Sequence, residues 1–224
     1  MCFSAAASFS AGVPLLIVGV LTTRRAGKSS GLALAAIPLL FGIQQLLEGV
    51  LWLTFPDRAP LLNTVLTYVY TFFSHVLWPV YVPLAVLLIE PSPWRRKVLA
   101  AIVVAGALVA AYLLYSLVRL PLVAQVTGSH IAYLSPHFFA LEVMSLYLLG
   151  TCVGSLFSSH RFVRLFGVAA FISFMAAYAF YATWFISVWC FFAAVLSGVV
   201  LLHFPGGGPS LFRRHRNPIA APTV

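Results

Sequence analysis

Charge is scarce in this sequence. Of its 224 residues only four are acidic and thirteen are basic, so charged residues make up 8% of the chain while hydrophobic residues make up 62%. A water-soluble domain usually has about 25% charged residues and about half apolar ones. No water-soluble packing of this length could bury so much apolar surface. The composition therefore excludes a soluble fold and indicates an integral membrane protein.

Sequence signatures of common active sites are also missing. The chain has no His-Glu-x-x-His or Glu-x-x-His pattern, and its glycine-rich FPGGGPS stretch lacks the Lys-Ser/Thr of a phosphate-binding loop. Cysteine is rare: Cys152 and Cys190 lie at different estimated depths of two apolar runs, so no disulfide is expected between them. The N-terminus lacks the basic region of a cleavable signal peptide, so the first apolar run is expected to be retained.

Seven apolar runs are long enough to cross a bilayer, which takes about 20 residues of helix. They are Ala5 to Thr22, Gly31 to Leu53, Leu61 to Ile89, Val98 to Val118, Pro136 to Phe157, Phe162 to Ala182 and Phe185 to Phe204. The third run contains Pro79 and Pro83, which predict a kink or tilt. The expected fold is an all-α bundle of seven transmembrane helices over residues 1–204, followed by a basic, Gly/Pro-rich cytoplasmic tail over residues 205–224.

The basic residues predict the orientation, because loops rich in Lys and Arg stay in the cytoplasm. Eleven of the thirteen lie after helices 1, 3 and 5 or in the tail: Arg24, Arg25, Lys28, Arg95, Arg96, Lys97, Arg161, Arg164, Arg213, Arg214 and Arg216. The opposite side has only Arg58 and Arg119. This predicts a multi-pass protein of the inner cell membrane, with its N-terminus outside and its C-terminus cytoplasmic. The basic clusters sit at the ends of apolar runs rather than on a polar surface, which argues against nucleic-acid binding.

Two carboxylates lie inside predicted spans at matching depth. Glu48 comes six residues before Thr54, about 9 Å below the outer end of helix 2. Glu142 lies about 10 Å below the same end if helix 5 begins at Ser135-Pro136. An intramembrane carboxylate costs several kcal/mol unless it is paired or hydrated, so this pair predicts a functional site.

Histidines and amides complete a candidate metal site near the outer leaflet. Imidazole together with carboxylate suits Zn or Fe. The predicted metal ligands are Glu48, His75, His137 and Glu142, with Cys2 as a further candidate if Met1 is removed. Polar and aromatic residues at helical spacing on helices 2 and 3 predict the surrounding cofactor-binding or ligand-binding groups, which are Gln44, Gln45, Trp52 and Trp78.

Structural roles are the alternative for the same residues. Glu48 would then only accept a hydrogen bond from Gln44 or from a tyrosine, and Glu142 would pair with Arg119. His75 would be a histidine of the core.

Two stretches carry a family resemblance. MCFSAAASFSAG at the N-terminus and PLLFGIQQLLEGVLW after it resemble a family of small bacterial seven-helix membrane proteins of unknown function that begin Met-Cys-Phe-Ser. The resemblance implies the seven-helix architecture and no activity. It draws attention to Cys2, Phe3, Ser4, Gln45 and Glu48.

Three functions remain open from the sequence. The first is a metal-dependent enzyme that acts on a lipid or other amphiphile at the outer leaflet. The second is a ligand-binding sensor or an accessory subunit of a membrane complex. The third is a small transporter, which is less favoured because polar residues do not continue to the inner side of helices 6 and 7.

Overall fold

A computed structural model of the chain describes residues 4–27, 29–134, 140–181 and 184–204. These residues form seven helices, numbered here in chain order. The helices are α1 (Ala5–Ala26), α2 (Leu32–Leu53), α3 (Pro60–Ile89), α4 (Pro93–Arg119), α5 (Leu141–Leu156), α6 (Arg161–Tyr181) and α7 (Phe185–His203). Among the described residues, six of the helices are long and apolar enough to cross a membrane, and α5 is shorter. The orientation stays a prediction, and the predicted tail over residues 205–224 lies outside the described residues.

A β-hairpin, which was not predicted from the sequence, lies between α4 and α5 of the otherwise helical fold. Strand β1 (Val123–Thr127) pairs antiparallel with β2 (His130–Leu134). The two-residue turn starts with Gly128 at a φ of 63°, a backbone angle that glycine adopts without strain. β1 packs on α3 and β2 packs on α7, so the hairpin covers one end of the bundle.

The fifth helix is shorter than predicted. The predicted start at Pro136 lies outside the described residues, and α5 begins at Leu141 after Ala140 in extended conformation. Glu142 is consequently in the first turn of α5 rather than well inside the span. The end of the bundle that carries the hairpin, Thr54 and Trp184 is called the hairpin end below, and the end that carries Arg24, Glu90 and Arg161 is called the basic end.

Helices α1 and α2 run antiparallel in close contact because glycines line their interface. A Cβ on Gly19 would lie 2.4 Å from the backbone nitrogen of Leu39, and a Cβ on Gly42 would lie 2.9 Å from that of Leu16. Small residues let the backbones approach to this distance, as is usual for helices packed in membranes.

Helix α3 is irregular next to Pro79. Its segment Phe72–Leu77 is a π-helix, as is Leu149–Val153 of α5. Proline has no N–H to donate to the preceding turn, and the Ser74 carbonyl instead accepts a hydrogen bond from the Tyr147 hydroxyl of α5. Helix α5 therefore satisfies part of the polar backbone beside Pro79, while the kink or tilt predicted from the prolines stays a prediction.

Loops at the basic end are joined by Glu90, which follows α3 and is only 2% exposed. Its carboxylate accepts hydrogen bonds from the Ser159 N–H at 2.7 Å, the Ser159 hydroxyl at 2.5 Å and the Ser92 N–H at 3.1 Å. The connection between α3 and α4 is thereby tied to the connection between α5 and α6. The last helix is held at the same end, where Arg25 donates to the Phe204 carbonyl at 3.0 Å.

Candidate functional site

Glu48 lies in the interior of the bundle, near the hairpin end, and its side chain is 0% exposed. Its Oε1 accepts a hydrogen bond from the Ser187 hydroxyl of α7 at 2.6 Å and from the Tyr133 hydroxyl of β2 at 3.4 Å. The Tyr133 ring stacks on Tyr70 of α3, with 4.6 Å between ring centroids. Three parts of the fold therefore meet at this carboxylate, and the tyrosine partner agrees with one of the alternatives considered from the sequence.

Gln44 has a defined structural partner. Its Oε1 accepts a hydrogen bond from Trp78 Nε1 at 2.7 Å, and the Trp78 ring stacks on Phe41 at 3.8 Å between centroids. Gln44 and Trp78, two of the predicted ligand-binding residues, thus bind each other and join α2 to α3. Both are buried.

Gln45 has the opposite environment although it is the next residue. It is also 0% exposed, but neither its Oε1 nor its Nε2 has a hydrogen-bond partner among the described residues. A buried amide that makes no hydrogen bond costs roughly 1–3 kcal/mol, and such groups in native proteins usually face a ligand, an ion or an ordered water. Gln45 therefore marks a place where a polar partner belongs.

Ser8 of α1 is a second polar group of this kind. It is buried, and its hydroxyl has no hydrogen-bond partner in the part of the chain that the structure describes. The antiparallel pairing of α1 with α2 places Phe9 against Gly49 and Gly12 against Gly42. Ser8 is consequently at the height of the turn between Gln45 and Gly49, so the two unsatisfied groups lie at a similar level.

Two tryptophan side chains lie closer to the hairpin end than the Glu48 carboxyl group. Trp52 follows Glu48 by four residues on α2, and Trp184 precedes Ser187 by three residues at the start of α7. Both rings are partly buried against the same apolar cluster, and neither Nε1 atom has a hydrogen-bond partner within the described ranges. Gln45, Glu48, Trp52, Trp184 and Ser187 together are called the polar column below.

His75 is buried in the π-helical segment of α3. Its Nδ1 is 2.8 Å from the hydroxyl of Ser74, which also donates to the Thr71 carbonyl at 3.1 Å. His75 is thus a buried histidine whose Nδ1 contacts the neighbouring residue of its own helix.

Of the four predicted metal ligands the structure describes three, Glu48, His75 and Glu142, and these three do not form a metal-binding group. Glu142 is exposed while Glu48 and His75 are buried, because α5 begins later than expected. Within the described ranges, no three His, Cys, Asp or Glu side chains are arranged to hold a metal ion. His137 and Cys2 lie outside those ranges, so Zn or Fe binding stays a prediction that elemental analysis of the purified protein would test.

Sequence reasoning did not find Ser187 or Tyr133. Ser187 is a single hydroxyl in the apolar run FISVWCFF, where serine commonly bonds its own helix backbone, so it gives no distinctive signal. Tyr133 could have been found from the alternating pattern of VAQVTGSHIAYL, which contains Gly-Ser at its centre and is typical of a hairpin.

The contrast between the two glutamines can be measured. Gln44→Leu should lower the free energy of unfolding by about 2 kcal/mol, because it leaves the buried Trp78 N–H without its acceptor. Gln45→Leu should leave stability unchanged or raise it in delipidated protein, because it removes a buried amide with no partner among the described side chains. Thermal unfolding in detergent tests both variants. Equal losses for the two would show that Gln45 has a structural partner.

The model of a family of unknown function, DUF6629, matches residues 1–214. No curated protein and no solved structure matches the chain. The two stretches that suggested a family, MCFSAAASFSAG and PLLFGIQQLLEGVLW, both lie within the matched range. The match covers nearly the whole chain, which therefore belongs to the DUF6629 family.

Proposed function

We propose that this protein is a membrane-embedded binding protein whose site is the polar column, and that it binds the polar head of an amphiphile from the surrounding bilayer. The observation that carries the proposal is Gln45, a fully buried amide whose oxygen and nitrogen both have no partner among the described residues. This proposal corresponds to the second function considered from the sequence, a ligand-binding protein.

Energetics support a bound partner at Gln45. In an apolar interior an unsatisfied amide is costly, and leucine would fill the same space at no such cost. An amide that remains in such a place is accounted for by a partner that supplies both a donor and an acceptor. Hydroxyl groups, amides and ordered water molecules meet this requirement.

The position of the site supports an amphiphile as the source of that partner. Gln45 comes nine residues before Thr54, which places it about 14 Å from the hairpin end of α2. The neighbouring helix α1 presents large apolar side chains outward, with Val13 50% and Ile17 58% exposed. A molecule with a polar head and an apolar tail could therefore bring its head to the column while its tail stays in lipid.

Native mass spectrometry tests the proposal without knowledge of the ligand. Protein extracted from its membrane in dodecyl maltoside should carry a non-covalent adduct of discrete mass, and Gln45→Leu should lose this adduct. The leucine side chain offers neither a donor nor an acceptor, so the expected loss is complete rather than partial.

A matched glutamine variant controls this measurement. Gln125→Leu changes an exposed residue of β1 and should keep the adduct at the wild-type level. A wild-type protein without an adduct, or an adduct that persists in folded Gln45→Leu protein, would overturn the proposed function.

A further inference from the structure

We infer that the ligand of the polar column is a neutral, ester-bearing lipid of the acylglycerol type, recognised through its oxygen atoms by the indole N–H groups of Trp52 and Trp184. The inference rests on the proposed function and names the chemical class of its ligand. Three observations support it: the level of the two indoles, the absence of acceptors for them among the described residues, and the charges near them.

The level of the two indoles follows from the hydrogen bond between Glu48 and Ser187. This bond of 2.6 Å fixes α2 and α7 at the same height. Helix α2 runs toward the hairpin end and α7 runs away from it. One helical turn takes three to four residues, and residues one turn apart lie on the same face of a helix. The position four residues after Glu48 and the position three residues before Ser187 are therefore both about one turn closer to the hairpin end than the bonded pair. Trp52 and Trp184 occupy these two positions.

The rings of Trp52 and Trp184 both pack against protein, whereas their indole N–H groups have no hydrogen-bond acceptor among the described residues. The Trp184 ring stacks on His130 of β2, with centroids 4.6 Å apart, and the Trp52 ring packs against the apolar cluster at the hairpin end. An indole nitrogen can only donate a hydrogen bond. Both nitrogens are buried, and no acceptor for either is found among the residues described here. Each indole therefore needs an acceptor oxygen that the described residues do not supply.

The charges near the column favour a neutral acceptor. A phosphate or carboxylate group at the indoles would lose its hydration about one helical turn from the buried Glu48 carboxyl group, and burying an anion without a cation beside it is costly. Among the described residues, the arginines at the hairpin end are Arg58 and Arg119, and both are exposed, so neither is buried beside the column to offset an anion. His130 stacks on Trp184, and burial lowers the pKa of its imidazole, which favours the uncharged ring at this position. Ester carbonyl and hydroxyl oxygens accept hydrogen bonds without this cost, and a hydroxyl can also donate to Gln45 Oε1.

The probes that separate the ligand classes are 1-monoolein and oleylamine. They have the same alkyl chain length, but monoolein carries an ester and two hydroxyl groups, whereas oleylamine carries a cation that only donates. Protein labelled with 15N in dodecyl maltoside micelles is titrated with each probe, and the indole N–H signals are followed by NMR after assignment with Trp→Phe variants. Monoolein should shift the signals of Trp52 and Trp184 and leave that of Trp94, which is exposed at the basic end, unchanged.

Binding constants complete the test. Trp52→Phe and Trp184→Phe should each weaken monoolein binding about fivefold, the loss expected for one hydrogen bond, while Trp94→Phe should have no effect. If one variant is unstable, the changes in the indole N–H signals of the wild-type protein during the monoolein titration still show whether the ligand contacts both tryptophans. Preferential binding of oleylamine, or Gln45-dependent binding of monoolein that neither indole variant weakens, would overturn the inference and leave the proposed function standing. A failure of the proposed function would give a different result: in that case neither the adduct seen by mass spectrometry nor the binding of monoolein would depend on Gln45.

Discussion

Gly106→Ala should destabilise the bundle by at least about 3 kcal/mol or prevent its folding. A Cβ on Gly106 of α4 would lie 2.0 Å from the Pro79 carbonyl oxygen of α3, a backbone atom that cannot rotate away. Helix α5 packs on the same oxygen, since a Cβ on Gly150 would lie 2.6 Å from it. Three helices therefore meet at Pro79, and an added methyl group must push two of them apart. Unfolding in detergent with increasing SDS, together with the yield of monodisperse protein, measures the effect.

The matched control is Gly198→Ala in α7. Apart from the adjacent residues and the backbone of its own helix, no heavy atom of the described residues lies within 4 Å of the position where this Cβ would be. Its stability should stay within about 0.5 kcal/mol of wild type, as is usual for a substitution without steric consequences. If Gly106→Ala were as stable as Gly198→Ala, the close approach of α3, α4 and α5 would be incorrect.

Glu90→Ala should remove about 3 kcal/mol of stability at neutral pH. The substitution deletes the carboxylate that accepts three hydrogen bonds, and the N–H groups of Ser92 and Ser159 lose their acceptor. Burial by itself would raise the pKa of Glu90. The hydrogen bonds from Ser159 and Ser92, together with the nearby charge of Arg95, outweigh burial and hold the pKa below its usual value. The charged form is therefore the one that stabilises the fold.

The pH dependence follows from that direction. A carboxylate whose pKa is lower in the folded protein contributes its stability above the unfolded pKa of about 4.3 and loses it as the pH falls through the folded pKa. Unfolding measured from pH 7 downward should show wild type losing stability below about pH 4.5. Glu90→Ala should start lower and lose less over the same range.

Glu142→Ala provides the control, because this carboxylate is exposed in the first turn of α5. Its stability at neutral pH should match that of wild type. An acid dependence that persists unchanged in Glu90→Ala would show that Glu90 is not its source.

The sequence predicted most of the helices because helix length and apolarity are local properties of the chain. The run from Leu61 to Ile89 corresponds to α3, which begins one residue earlier, and the run from Val98 to Val118 lies within α4. The fifth helix was placed less well. Its predicted start at Pro136 depended on a local capping pattern, whereas the strand that precedes it pairs with a partner strand and packs on α7.

The sequence could predict the residues of the candidate site that lie on α2, but not those that α7 and β2 contribute. Gln45, Glu48 and Trp52 stand out because they are polar or amphipathic residues at helical spacing in an apolar run. The residues that face them could not be identified, since Tyr133 is 85 positions and Ser187 is 139 positions from Glu48 in the chain. The predicted pair of Glu48 with Glu142 rested on depth alone. That depth assumed a helix beginning at Pro136, whereas α5 begins at Leu141 and has Glu142 exposed in its first turn.

The sequence by itself determined that this chain forms apolar helices and that few of its polar groups lie among them, because both follow from composition and spacing along the chain. Only the tertiary structure decided which of those polar groups are satisfied. Gln44 and Gln45 are adjacent and chemically identical, and both are fully buried. One accepts a hydrogen bond from Trp78, while the other has no partner among the described residues. Consecutive residues of a helix point about 100° apart, so the packing of α3 and α7 around α2 gives them different neighbours.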